Sequence, residues 1–260
     1  MDLQLKDKVI IVTRGAKGIG EAIVRSCAGE GAVPVIVGRD GEAGKRLQSE
    51  LQNGGAKCGL ITLDLSPPEN CLQAVEEVLK AFGRLDAPVN NAGRNDKVGL
   101  ERGNPSEYVA SLQQNLVHYY SMAHYALPYL KRSRGTIVNI GSKTAVTGQG
   151  ETSGYASAKG GIMALTREWA VELLPYSIRV NTVIPAEVMT PLYRQWLDTF
   201  PNPEEKLKMI LSKIPFEKRM TTAQEIADVT VFLISPRSGH TTGQHIFADG
   251  GYVHLDRSLT

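Results

Sequence analysis

The chain has 260 residues, 42% of them hydrophobic, with 29 basic against 27 acidic side chains and a net charge of +2. A near balance without a dense Lys/Arg block gives little general attraction to nucleic acid or an anionic membrane surface, and no apolar run reaches the ~20 residues that span a bilayer. Cys27, Cys58 and Cys71 show no C-x-x-C spacing and the start MDLQLKDK is polar rather than signal-like, so buried reduced thiols in a cytoplasmic chain are expected.

The first apolar run, Val9–Thr13, predicts a strand, and Gly18–Glu30 predicts a helix ended by Gly31. Strand Val33–Val37 and helix Gly41–Asn53 follow, the helix closing at Gly54-Gly55. Next come strand Lys57–Leu63 and helix Glu69–Phe82, behind Pro67-Pro68. Strand Val89–Asn91 leads into one long helix, Ser106–Lys131, and strand Thr136–Ile140 into helix Ser153–Leu174. Strand Ile178–Ile184 opens the irregular stretch Pro185–Pro203, which reads as a cover over a substrate and holds a short helix at Thr190–Phe200. Helices Glu204–Lys213 and Ala223–Ile234 and strand His245–Ala248 complete the chain. No repeat, low-complexity tract or domain linker interrupts it, so residues 1–260 read as a single domain. Continuous apolar strands alternating with helices imply an α/β fold, a parallel sheet covered on both faces, which takes its ligand at the carboxyl ends of the strands.

The segments after those strand ends carry the chemistry. TRGAKGIG (13–20) lies between the first strand and the first helix. There Gly18 permits close backbone approach and Gly20 close helix packing, while the helix N-terminus offers free N–H groups to a pyrophosphate. The second strand ends in Gly38-Arg39 rather than a carboxylate, with Lys17 in the neighbouring loop; two cations there favour the 2′-phosphate of NADP, with NAD possible because Asp40 follows. Asp64 ends the third strand and either accepts from an adenine amine or caps a turn. Tyr155 and Lys159 are four apart on a helix and share a face, where an ammonium favours the phenolate and the phenolate can take an alcohol proton. Ser142, in the loop after the fifth strand, can hold the reacting oxygen. Asn115 stands mid-helix beside an apolar and aromatic stretch, which calls for a buried hydrogen bond, an i−4 backbone bond or a role in the site.

These pieces occur in order over nearly the whole chain: TRGAKGIG, Asp64, Asn90-Asn91-Ala92-Gly93, Asn115, Ser142, YASAK and Pro185-Ala186. Together they resemble the short-chain dehydrogenase/reductase family. The resemblance implies a doubly wound Rossmann fold with a seven-stranded parallel sheet in the order 3-2-1-4-5-6-7. It implies Tyr155 as general base or acid and Lys159 as the ribose-binding cation that lowers the Tyr155 pKa. It further implies Ser142 on the substrate oxygen and Asn115 holding a water in a proton relay. Cofactor contacts are implied for Arg14, Lys17, Gly18, Ile19, Gly20, Arg39, Asp64, Leu65, Asn91, Val188 and Thr190, besides Tyr155 and Lys159. A homotetramer is the implied assembly. SKTAVTGQG, PAEVMTPLY and GGYVHLDRSLT resemble the family's sugar 1-dehydrogenase branch, in which the anomeric C1–OH of a pyranose such as L-fucose is oxidised to a lactone. Lys143, Gln149, Glu151, Glu187 and Arg194 are the polar candidates for fixing such a sugar, whereas a lipid pocket would be more apolar. The other readings are reduction of a 3-oxoacyl thioester or small ketone, and a non-catalytic relative with weakened cofactor binding.

Two positions depart from that pattern. Arg14 stands where the family's loop has its first glycine; if position 14 needs positive φ, Arg there costs about 1 kcal/mol or more and its bulk presses on the cofactor. Pro88 enters a strand that should be central, where its missing N–H breaks a ladder bond, tolerable at the strand's first residue. Replacing it, as in Pro88→Leu, is expected to raise the melting temperature. The five histidines have no metal-ligand spacing, so no metal is expected. By the resemblance, the helices Ser106–Lys131 and Ser153–Leu174 are subunit-interface helices.

Overall fold

A computed structural model describes residues 1–256 of the chain. Residues 257–260, the end of the GGYVHLDRSLT stretch, lie outside the described residues. The first strand, β1 (Val9–Thr13), is buried along its whole length. Val9 and Ile11 pack with Val35, Tyr119 and Ile162, while Ile10 and Val12 pack with Ile23, Ile36 and Ile226. A strand apolar on both sides needs cover on both, which is the doubly wound arrangement. The other strands are β2 (Val33–Gly38), β3 (Gly59–Thr62), β4 (Ala87–Asn90), β5 (Thr136–Ile140), β6 (Arg179–Pro185) and β7 (His245–Ala248). All pair in parallel, in the order β3-β2-β1-β4-β5-β6-β7. The order reverses direction between β1 and β4, so their carboxyl ends diverge and leave a crevice.

The helices are α1 (Gly18–Gly29), α2 (Gly41–Asn53), α3 (Pro68–Phe82), α4 (Pro105–Leu112), α5 (His118–Ser133), α6 (Ser153–Glu172), α7 (Pro191–Leu197), α8 (Pro203–Ser212) and α9 (Ala223–Ile234). The long helix expected over Ser106–Lys131 is two helices joined by a π-helical turn, Gln113–Val117, and it runs on to Ser133. An asparagine capping box, Asn104 with Glu107, starts it at Pro105, one residue before the expected Ser106. The third strand is shorter than Lys57–Leu63, and the fourth begins at Ala87 and ends at Asn90, leaving Asn91 in the loop.

A row of polar side chains crosses the sheet interior. Asn90 on β4 is in register with Asn139 on β5, and Asn139 with Thr182 on β6. Asn90 Nδ2 donates to Asn139 Oδ1 at 2.9 Å, and Asn139 Nδ2 donates to Thr166 Oγ1 of α6 at 3.0 Å. Thr166 Oγ1 also lies 2.5 Å from Thr182 Oγ1. All four residues are fully buried, where an unpaired polar group costs about 1–3 kcal/mol, so the row resists sliding of α6 over the sheet. Thr166 is two turns beyond Lys159 on the same helix face, so this anchor sets where Tyr155 and Lys159 stand.

Pro88 is the second residue of β4 rather than the first, and it is buried opposite Ile11 of β1. Asp86 N–H donates to the Val9 carbonyl, so by the alternation of a ladder position 88 is the one that would serve the Ile11 carbonyl. The departure therefore falls inside the sheet, where its cost is larger than at a strand entrance. Val restores the donor with little change in volume. A regained buried hydrogen bond, less the unfolded-state benefit of proline, leaves a gain of about 1 kcal/mol. Pro88→Val is expected to raise the melting temperature by about 2 °C in scanning calorimetry, and an equal or lower value contradicts this account.

Candidate active site

The loop after β1 runs beneath the N-terminus of α1. Lys17 is the N-cap residue but makes no side-chain cap, so the first amides of α1 keep their donors for an anion. Gly18 has φ +58°, and a Cβ on it would stand 3.2 Å from the Thr190 methyl, which places the segment before α7 directly over the cradle. A Cβ on Gly20 would lie 2.7 Å from Asn91 Nδ2 and closer still to the Arg14 carbonyl. This packed, glycine-lined helix start fits the pyrophosphate of a dinucleotide. Thr13, the last residue of β1, ties the loop to the next one: its hydroxyl accepts from Asn91 N–H at 2.8 Å and Ala92 N–H at 2.9 Å. Asn91 Nδ2 returns a bond to the Thr13 carbonyl at 3.0 Å.

Arg14 adopts φ +53°, so position 14 does take the left-handed conformation in which a non-glycine residue is strained. Its guanidinium reaches across the crevice and donates to the Gly93 carbonyl. At the tip of β2, Arg39 lies 3.8 Å from Asp64, and Lys17 pairs with Asp40 at 2.5 Å. Asp40 also caps α2 by accepting from Ala43 N–H. Asp64 Oδ1 accepts from the Ser66 amide and hydroxyl, so its turn-capping role is realised. Leu65 and Val188 are buried, with side chains in the core, and Ile19 packs against it. Thr190 caps α7 through Tyr193 N–H.

At the end of β5, Ser142 opens a short 3-10 turn (Lys143–Ala145). Its oxygen accepts from Thr144 N–H at 3.3 Å and Thr144 Oγ1 at 3.0 Å. Both acceptor sites are thereby occupied, and the one hydroxyl proton is left to donate, toward Tyr155 with which Ser142 is hydrogen-bonded. Lys159 is buried, its Nζ 5.6 Å from the Tyr155 ring centroid. It donates to Tyr119 Oη at 3.0 Å and the Ile140 carbonyl at 2.8 Å. Asn115 sits in the π-turn: Nδ2 donates to the Ser111 carbonyl at 3.1 Å and Oδ1 accepts from Arg94 N–H at 2.8 Å. Its side-chain carbonyl thus braces the Gly93-Arg94 backbone.

The electrostatics differ from the simple picture of one ammonium acidifying one phenol. Burial raises the Tyr155 pKa, opposed by the Ser142 hydrogen bond and then by the Arg14 cation. Lys159 is itself pushed down to about 7, by burial first and by Arg14 second. The residue that breaks the glycine pattern therefore acts on both groups. His118, beside Tyr119 with ring centroids 4.8 Å apart, has only a weak bond to the Gln114 backbone, and burial holds its pKa down near 4.

Thr13, Tyr119 and Asp96 belong to this constellation and are absent from the residues the sequence singles out. Tyr119 is four residues after Asn115, a same-face spacing that could have found it. Asp96 Oδ2 is 3.4 Å from Asn115 Nδ2, and its Oδ1 is buried without a partner. Gln149, Glu151 and Arg194 are exposed, Arg194 pairing with Asp198 and Glu204, while Lys143 and Glu187 turn inward together. A groove of about 340 Å³ follows residues 144–153 and Ala156 beside Tyr155. A slightly larger one, about 400 Å³, lies between α3 and α5, away from these groups. No metal-binding cluster and no helix long and apolar enough to cross a membrane occur among the described residues.

The family model described as enoyl-(acyl carrier protein) reductase matches residues 15–253. The chain belongs to the short-chain dehydrogenase/reductase family. It is 34% identical to the L-fucose dehydrogenase of Oryctolagus cuniculus over 94% of this chain and 84% of that protein. It is 33% identical to the 3-oxoacyl-[acyl-carrier-protein] reductase FabG of Thermotoga maritima over 96% of this chain and all of that one. Among solved structures, Cj0485 dehydrogenase superposes with a TM-score of 0.95 at 47% identity, covering 100% of this chain and 99% of that one. The L-sorbose reductase of Gluconobacter frateurii, complexed with NADPH and L-sorbose, superposes with a TM-score of 0.93 at 26% identity, covering 98% and 100%. The protein is an NAD(P)-dependent oxidoreductase of this family.

Removing Arg14 separates its steric and electrostatic effects. Arg14→Gly relieves the left-handed backbone and clears the crevice, so calorimetry is expected to show NADP+ binding several-fold tighter; unchanged affinity contradicts the steric part. The same change removes a cation that lowers the Tyr155 pKa, so the ascending limb of the oxidation rate is expected to move to higher pH.

His118 gives a separate pH signature. Its folded pKa lies below the ordinary value near 6.5, so the unfolded chain binds the extra proton between about pH 6.5 and 4, and stability falls as pH falls through that window. At 1.36 kcal/mol per pH unit the loss is about 3 kcal/mol. His118→Gln is expected to flatten that part of the stability profile in urea titrations, and an unaltered slope contradicts it.

Proposed function

We propose that the protein oxidises the anomeric C1–OH of an aldose, L-fucose or a close relative, to a lactone with reduction of NADP+. The observation that carries this reading is the Tyr155 phenol hydrogen-bonded to Ser142 and backed by Lys159, with the unpartnered Asp96 oxygen at the same centre. Ser142 donates to the reacting oxygen and orients it. Tyr155 takes the hydroxyl proton, its ionised form favoured by Ser142 and Arg14. Lys159, fixed by Tyr119 and the Ile140 carbonyl, supplies the cation behind the phenol, and Asn115 holds the Gly93-Arg94 wall. A nicotinamide dinucleotide supplies the hydride acceptor when bound. Arg14, Lys17, Gly18, Ile19, Gly20, Arg39, Asp64, Leu65, Asn91, Val188 and Thr190 are the proposed contacts for that dinucleotide, besides Tyr155 and Lys159.

A buried carboxylate oxygen without a donor is suited to a sugar hydroxyl and unsuited to an alkyl chain. The L-fucose dehydrogenase relative supports the same substrate class. The preference for NADP+ is supported by Arg39 at the tip of β2 and by Asp40 being engaged with Lys17 and the start of α2. The similar L-sorbose reductase was solved with NADPH. Exposed Val109, Tyr120, Val171 and Leu174 on and just after α4, α5 and α6 support a homotetramer built on those helices. The proposal treats residues 1–260 as one domain working in the cytoplasm.

A second reading, reduction of a 3-oxoacyl thioester, is favoured by the nearly equal identity to FabG. Absorbance at the NADPH band, with L-fucose, other aldoses and an acetoacetyl thioester as substrates, decides between them. Turnover of L-fucose that falls about 10³-fold or more in Tyr155→Phe is the expected result. Thioester reduction with silent aldoses overturns the sugar reading, and silence with every substrate and no thermal shift with either dinucleotide overturns both.

A further inference from the structure

Lys143 follows Ser142 directly, yet its side chain turns inward rather than to solvent. Its Nζ pairs with Glu187 Oε1, in the loop after β6, and both side chains are close to inaccessible, at 11% and 12% exposure. Tyr193 of α7 donates from Oη to Glu187 Oε2 at 2.6 Å. The ring of Tyr252, in the turn after β7, lies 3.9 Å from Lys143 Nζ. Four elements at the carboxyl end of the sheet thus converge on one desolvated ion pair.

Desolvating two opposite charges is costly, and their attraction offsets the cost only when the remaining donors and acceptors are also satisfied. Here the satisfaction is incomplete. An ammonium has three N–H donors; among the described residues it meets one carboxylate oxygen and one aromatic face. Each Glu187 oxygen has one partner and room for another. A merely structural latch gains nothing from spare donors and acceptors held side by side. A vicinal diol uses both: one hydroxyl accepts from the ammonium while its neighbour donates to the carboxylate.

We propose that Lys143 and Glu187, held by Tyr193 and Tyr252, form the subsite that reads a pair of adjacent hydroxyls on the sugar ring and sets which aldose is accepted. This rests on the sugar reading above. The pair does no chemistry; it fixes the ring so that C1 faces Ser142 and Tyr155. A site built to hydrogen-bond hydroxyls rejects an analogue lacking one, because its own buried groups are then left unpaired.

The experiment measures steady-state kinetics of the wild type, Lys143→Met, Glu187→Gln and Tyr193→Phe with L-fucose and its 2-, 3- and 4-monodeoxy derivatives. Calorimetry with NADP+ reports on the fold and the cradle. The expected result is a KM for L-fucose about 10-fold or more higher in Lys143→Met and Glu187→Gln, with kcat changed far less and NADP+ affinity kept. The wild type should discriminate against at least one deoxy sugar by a similar factor, and that discrimination should vanish in Glu187→Gln. Should either charge variant fail to fold, Tyr193→Phe, which loosens Glu187 and keeps both charges, should show the same pattern to a smaller degree. Unchanged KM in the folded variants, or deoxy-sugar discrimination surviving in Glu187→Gln, overturns the subsite while leaving the sugar reading intact. Failure of the wild type to oxidise any aldose overturns the sugar reading and the subsite together.

Discussion

A tether inside the protein decides where its chemistry can occur. Asn90, Asn139 and Thr166 pass hydrogen bonds from β4 through β5 to α6, entirely out of water. An apolar contact of the same area would bind α6 as firmly but would tolerate sliding, since dispersion and hydrophobic burial have little directional preference. Hydrogen bonds in a dry interior do not tolerate it. Two turns from that anchor, Lys159 is delivered to the Ile140 carbonyl at the end of β5. Tyr155, one turn further on, meets Ser142, which the same strand end carries. The proposed chemistry depends on two elements of different type being held in one register, and the polar row is what holds them.

The site then works as a balance between burial and charge. Burial alone would leave Tyr155 a poor base and Lys159 a reluctant cation. Ser142 and Arg14 push the phenol back toward ionisation, while Arg14 pushes the amine further from it. A substitution that looks like damage in a phosphate-binding loop thus has opposite effects on two neighbours. Its backbone conformation costs stability, its side chain spans the crevice to Gly93, and its charge assists the phenol. The loop keeps its other devices, the uncapped start of α1 and the close approach at Gly20, so the cradle remains serviceable around it.

Much of this was legible in the chain before folding. The strand runs are apolar on both faces, a pattern that a doubly covered sheet satisfies, so the class followed from them, whereas the strand order followed from the resemblance carried by the motifs. The ends of β3 and β4 did not, because a ladder stops where its neighbours stop and not where apolarity fades. The π-turn was invisible: it shifts hydrogen bonds by one residue without changing composition, and Asn115 inside it gave the only hint. Tyr155, Lys159 and Ser142 stood out through spacing on a helix and position after a strand. Tyr119 was hidden among ordinary aromatic core residues. Lys143 and Glu187 were each visible as polar residues near the site, but their pairing joins positions 44 apart, and only the crossover between β5 and β6 brings them together.

The cysteines supply a consequence of a different kind. All three are buried, and burial raises the pKa of each thiol, Cys58 to about 11 and Cys27 and Cys71 to about 12. Alkylating and oxidising reagents attack the thiolate, so the closed protein offers them almost nothing. Each sulfur is therefore a silent clock of local opening, one in α1, one at the approach to β3 and one in α3. The rate at which a small thiol reagent consumes them reports how often those three regions breathe, without adding any label to the chain.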